Sequence, residues 1–178
     1  MQPIGPLMHE HRLIERMVAI IQKQANQLRD GAEPDSEFIA DAVEFFRVYA
    51  DRCHHGKEED LLFRELRNKE LPSELSAITD ELIQEHKQGR AMVKRLHEAN
   101  RTYNDSDTGT QDMIRLLEKL AVFYPEHIKK EDKHFFFPVM EYFSREEMDR
   151  MLADFYEFDR QLIHQFFQDK VESYESGE

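Results

Sequence analysis

The sequence predicts an all-α fold, an up-down-up-down four-helix bundle over residues 1–143 with an additional C-terminal helix and frayed tail over 144–178. Three observations predict it. Most of the six glycines and six prolines gather in a few places: the N-terminal tail, Gly31 to Pro34, Pro72, Gly109 and the C-terminus. The stretches between are therefore free to wind as helices. Apolar residues recur in them at the helical period, and the breaks that separate them are short and carry recognisable caps.

The first segment runs from about Leu7 to Leu28, with Leu13, Met17, Ile20 and Ile21 along one side, and stops at "RDGAEP". The second opens near Ser36, carries Phe38, Ala42, Phe45, Phe46 and Tyr49, and closes with Leu62, Phe63 and Leu66. Pro72-Ser73 starts the third, which holds Leu75, Ile78, Leu82, Met92 and Leu96 and breaks in the polar "NRTYNDSDTGT". The fourth spans about Gln111 to Tyr142, and Pro125 within it should kink or loosen the helix one turn before His127. Ser144 with Glu147 forms a capping box, S-x-x-E, and opens a fifth helix rich in aromatics. Short connections force sequential helices to pack as antiparallel neighbours.

At 178 residues the chain is long enough to bury one proper core. A formal net charge of −13, without a basic stripe, argues against nucleic acid or an anionic membrane surface as partner. No run of about 20 apolar residues exists to span a membrane, and "MQPIGPLMHEHRLIERM" has no charged leader or long apolar segment. The single cysteine, Cys53, can form no intrachain disulfide, which suits a reducing, cytoplasmic compartment.

The strongest feature is an internal repeat. Glu10-His11 on the first helix is answered on the second by His54, which opens H-x-x-K-E-E. Glu85-His86 on the third is answered at nearly the same spacing by His127, which opens H-x-x-K-E-D. Phe63 and Phe136 each follow the second histidine by nine residues. Residues at i and i+4 project from one side of a helix about 5–6 Å apart, so His54 with Glu58, and His127 with Glu131, can offer a nitrogen and an oxygen to one ion. With His11 and His86, each half holds two imidazoles and one carboxylate, the donor set of a 2-His-1-carboxylate iron site with positions left open. Two facing triads would make a dinuclear centre.

Gap-free alignment of "HHGKEEDLLF" with "HIKKEDKHFF" superposes His54 on His127 and Glu58 on Glu131. A heptad count over Phe45, Tyr49 and Phe63 turns His55 and Glu59 toward the core instead, and Gly56 allows a bulge that would change the register. Both registers stay open. His9, His97, His134 and His164 have no counterpart in the repeat and read as ordinary surface or core residues, with His9, like His55, left open as an alternative ligand or as a support for one. Glu59 and Asp132 are either solvated or hold the second ring nitrogen of a metal-bound imidazole. Cys53 reads as a small core residue.

The motifs "EHRLIERM", "CHHGKEEDLLF", "EHKQGR" and "PEHIKKEDKHFFFP", spread over about residues 8 to 140, resemble the hemerythrin-like, HHE cation-binding domain family. The resemblance implies a four-helix bundle around a non-haem di-iron centre: two iron ions, oxo- or hydroxo-bridged, ahead of zinc or manganese. It implies metal ligation by His11, His54, Glu58, His86, His127 and Glu131, with both glutamates as bridges. One departure is plain. Oxygen-carrying members have H-x-x-x-H on the third helix and H-x-x-x-x-D on the fourth, whereas position 90 is arginine here and the fourth helix reads H-x-x-x-E. The pattern is closer to iron-centre repair and iron-sensing members.

The expected function is therefore a di-iron protein that binds or senses oxygen, nitric oxide, peroxide or iron, taking a small diatomic or peroxide as ligand. Two alternatives stand beside it: a metal-stabilised protein-interaction module, and a repair or peroxidase-type redox protein. Whether it is an enzyme, and whether it pairs with a protein partner or a second copy of itself, the sequence leaves open.

Overall fold

Each helix begins or ends where local chemistry satisfies its orphan backbone groups. The computed structural model describes residues 2–103 and 106–176. The side chains of 107, 163–165 and 167–176, His164 among them, lie outside the described set. Helix α1, Ile4–Arg29, ends on a Schellman turn: Ala32 N–H donates to Gln27 O at 3.0 Å and Gly31 N–H to Leu28 O at 3.2 Å. That turn requires the left-handed backbone that Gly31 adopts, with φ of 93°.

Helix α2 covers 36–66 and starts under Asp35, whose carboxylate accepts the Phe38 N–H at 3.0 Å. Pro72 precedes α3, Ser73–Arg101. Helix α4 covers 107–140 under the Ser106 hydroxyl, which accepts from Gly109 N–H at 3.1 Å. Its start is several residues earlier than periodicity places it. The Ser144–Glu147 capping box forms as expected, at 2.8 and 3.2 Å, and opens α5, Arg145–Ser176. Among the described residues there is no strand.

α4 packs against both α1 and α3, and α2 closes the ring against α3 and α1, giving an all-α four-helix bundle. α5 is the additional helix and lies against α2. Its seat is Gly56, where a β-carbon would stand 2.7 Å from Phe158 Cζ.

Pro125 is exposed, and α4 runs through it without a break. The irregularity falls nearly two turns later. Over Glu131–Phe135 the helix widens to π winding, and α2 does the same over Glu58–Leu62, the matching place in the repeat. π segments often occur at functional sites. α2 carries a further π stretch, Phe46–His55, that α4 does not share.

The apolar interior is two clusters rather than one. One gathers Ile14, Ile21, Ala42, Phe46, Leu96, Leu117 and Leu120. The other gathers Ile4, Leu7, Leu62, Phe63, Leu82, Phe135, Phe136 and Phe155. Between them lie buried histidines and glutamates.

Filling the Gly56 seat should loosen α5. Gly56→Val is expected to cost about 1–3 kcal/mol through overpacking, read by urea unfolding. In limited proteolysis α5 should be cut ahead of the other four helices. Cleavage starting in α1 to α4 would place the helix's anchorage elsewhere.

Candidate metal centre

Every bundle helix sends at least one buried imidazole into the layer between the two clusters: His11 from α1, His54 from α2, His86 from α3 and His127 from α4. Glu58 and Glu131 join them, each 0% exposed. The glutamates do not face only their own half of the repeat. Glu58 puts Oε1 3.7 Å from His54 Nε2 and Oε2 3.3 Å from His86 Nε2. Glu131 puts Oε1 3.3 Å from His127 Nε2 and Oε2 3.1 Å from His11 Nε2. Each carboxylate thus reaches from one half-repeat to the other, where the spacing of each motif by itself suggests two separate triads.

The remaining ring nitrogens are all held by carboxylates. Nδ1 of His54 meets Glu10 at 2.9 Å and Nδ1 of His127 meets Glu85 at 2.8 Å. Nδ1 of His11 meets Asp132 at 2.8 Å and Nδ1 of His86 meets Glu59 at 2.7 Å. Behind the first pair stand the lysines of H-x-x-K: Lys57 donates to Glu10 and Lys130 to Glu85. The aromatics complete the symmetry, with Phe136 stacked on His11 at 5.6 Å and Phe63 on His86 at 5.9 Å.

Every position of H-x-x-K-E-E/D now has a task. The histidine and the first acid face the centre, the lysine braces the Glu of the Glu-His pair, and the last acid orients an imidazole of the other half. The spacing pointed to Glu59 and Asp132 as possible supports. Glu10 and Glu85 were written in the sequence beside their histidines, but nothing local says that they serve His54 and His127 on the neighbouring helices.

The layer is charged and compact. Burial works against ionisation of Glu10, Glu59 and Glu85, yet the imidazole and cation that each one bonds outweigh it and hold the carboxyls below their usual range. Burial likewise opposes ionisation of Glu131, and the surrounding imidazoles of His127, His11 and His86 overcome it. Burial lowers the His11 and His86 values, but hydrogen bonds to carboxylates raise His11 to about 10 and His86 to about 11.

The donors fit a metal. Nε2 of His11, His54, His86 and His127 and all four oxygens of Glu58 and Glu131 are buried without a hydrogen-bond partner. Leaving such groups unsatisfied costs about 1–3 kcal/mol each. All eight point into one small volume, and imidazole with carboxylate is a donor set for iron, zinc or manganese. His11, His54, Glu58 and Glu131 each offer an atom within 4.8 Å of the others, and so do His55, His86 and His127.

His55 is therefore inside as well, 2% exposed, and the choice between two registers resolves into both histidines facing inward. Its Nδ1 lies 3.3 Å from Asp51. Burial and the neighbouring imidazoles push its pKa well below the usual value, leaving it neutral, the form that binds metal. Glu59 stays outside the donor cluster, bonded to His86 and Arg90. His9 and His134 are exposed and His97 is half-buried. Cys53 is half-buried, with Sγ donating to Asp159 at 3.3 Å, and burial pushes its thiol up to about 12.

Two outcomes follow from this electrostatics. His11 and His86 sit above neutral pH, so a cation entering the layer must displace protons from them. Metal uptake at pH 7 in a weak buffer should acidify the solution, and apparent affinity should rise with pH up to about 10 to 11. Uptake without proton release would contradict this. Glu59→Gln and Asp132→Asn, which loosen the imidazoles, should each weaken metal affinity about 10–100-fold in a chelator competition.

No curated protein matches the chain. A family model described as the hemerythrin HHE cation binding domain matches residues 2–138, which takes in α1 to α4 nearly to their end and every donor named above. The chain belongs to the hemerythrin HHE cation-binding domain family.

Proposed function

We propose that this chain is a non-haem di-iron protein whose centre binds or senses a small ligand, namely oxygen, nitric oxide or peroxide, or iron itself. The observation that carries the reading is the set of eight buried donor atoms, on four imidazoles and two carboxylates, that lack a hydrogen-bond partner and face one another. His11, His54, Glu58, His86, His127 and Glu131 would hold the two ions. Iron bound there would supply an open coordination position and electrons for a small oxygen- or nitrogen-containing ligand.

The chain's own part is support. Glu10, Glu59, Glu85 and Asp132 orient the imidazoles through Nδ1, so that each lone pair on Nε2 is aimed at the centre. Phe63 and Phe136 cover two of the rings, and the apolar clusters above and below exclude bulk water. A cavity of 240 Å³ lined by Phe46, Asp51, His55, Arg90 and Tyr124 lies on one side of the layer.

One observation favours a second reading, an iron-dependent interaction module. Asp159 of α5 accepts from Lys57 at 2.7 Å, Lys57 bonds Glu10, and Glu10 bonds His54. The added helix is thereby joined to an imidazole of the centre, so metal occupancy could bias how firmly α5 docks.

Elemental analysis of protein purified without added metal should find two irons per chain, with most of the content lost in Glu58→Ala and in Glu131→Ala. A ferrous sample exposed to air should develop new charge-transfer absorption. No metal, or a single zinc indifferent to both substitutions, would sink the reading. Protease resistance of α5 that falls when iron is removed, with no spectral response to air or nitric oxide, would favour the interaction module.

A further inference from the structure

We propose that His55 supplies a third imidazole to the cation held by His86 and His127, so that the consecutive histidines of α2 serve different metal ions. His54 would then serve the ion it shares with His11. The inference rests on the metal-centre reading above and makes its two positions unequal.

The donor atoms divide this way in space. Those of His55, His86 and His127 lie within 4.8 Å of one another, and His54 groups instead with His11 and the two glutamates. Opposite donors on one ion with bonds of about 2.1 Å stand about 4 Å apart, so the three nitrogens are within reach of one ion once the stacked His55 ring turns its edge toward it. The His55 ring stacks on His86 at 3.9 Å with an interplanar angle of 11°, and meets His127 edge-on at 5.5 Å.

Behind its ring stands a carboxylate, as behind the other four imidazoles, although here it comes from the same helix. Nδ1 of His55 faces Asp51 at 3.3 Å, making a fifth imidazole–carboxylate pair. Arg90, one turn after His86 on α3, donates to Asp51 at 2.8 Å and to Glu59 at 2.6 Å. A single guanidinium therefore fixes the carboxylate behind His55 and the carboxylate behind His86. An isolated core histidine would need no such shared brace.

The backbone explains how neighbouring residues can both point inward. In an α-helix adjacent side chains diverge by about 100°, which would turn one of the two histidines away. Over Phe46–His55 the helix is π-wound, and its wider turn narrows that divergence. α4 lacks a matching segment before His127, and it carries one histidine there rather than two.

The test compares metal content and ring chemistry. His55→Gln, purified without added metal and unchanged in circular dichroism, should hold half the metal of the natural chain, while exposed His134→Gln should hold all of it. In the unaltered protein with isotope-labelled histidines, zinc titration followed by NMR should move the His55 ring nitrogens to metal-bound positions together with those of His86 and His127. This second arm decides the matter if His55→Gln does not fold. Full metal content with undiminished chelator resistance in His55→Gln, or His55 signals that stay put while those of His86 and His127 shift, would overturn the proposal. A natural chain that takes up no cation would instead overturn the metal-centre reading beneath it.

Discussion

Two carboxylates, Glu58 and Glu131, are fully buried at the middle of the bundle and face the Nε2 atoms of four imidazoles. Removing such charges from water costs several kcal/mol per ion unless close partners compensate. Much of the remaining architecture answers that requirement. Each imidazole is pinned from behind by another carboxylate, and those outer carboxylates lie nearer the surface, where lysine or arginine can reach them. Carboxylate, imidazole, carboxylate and cation succeed one another outward from the centre.

The repeat is what makes this arrangement compact. Each half contributes the same parts, and each orients parts of the other: Asp132 from the second half serves His11 of the first, while Glu59 from the first serves His86 of the second. Neither half closes its own donor layer. Association of α1 and α2 with α3 and α4 is therefore needed to satisfy the polar layer, and the apolar clusters on either side tie that association to hydrophobic burial.

The two halves also differ, and the differences fall on α2. It has the extra π segment, the second histidine, the glycine that admits Phe158, and a lysine buried more completely than its counterpart Lys130. Lys57 meets Asp159 on α5, whereas Lys130 turns to Glu81 on α3. The added helix has thus drawn one half of the symmetric layer into contact with itself. A hydrogen-bonded line then runs from α5 through Lys57 and Glu10 to His54.

The sequence by itself determined five helices in this order and the Ser144 cap, and it put forward six donors for the centre. These depend on local rules: apolar residues recur at the helical period, Ser144 caps by hydrogen bonds within three residues, and His54–Glu58 and His127–Glu131 share a face at i and i+4. The duplication aligned His54 and Glu58 with His127 and Glu131, and all four side chains are buried in the same polar layer. Only the tertiary structure decided how the halves share carboxylates, which acid supports which ring, and that His55 turns inward beside His54. Glu10 and Glu85 find His54 and His127 on neighbouring helices, a pairing that depends on how the helices pack. The inward turn of His55 depends on π winding, a departure from the very period by which a helix is read.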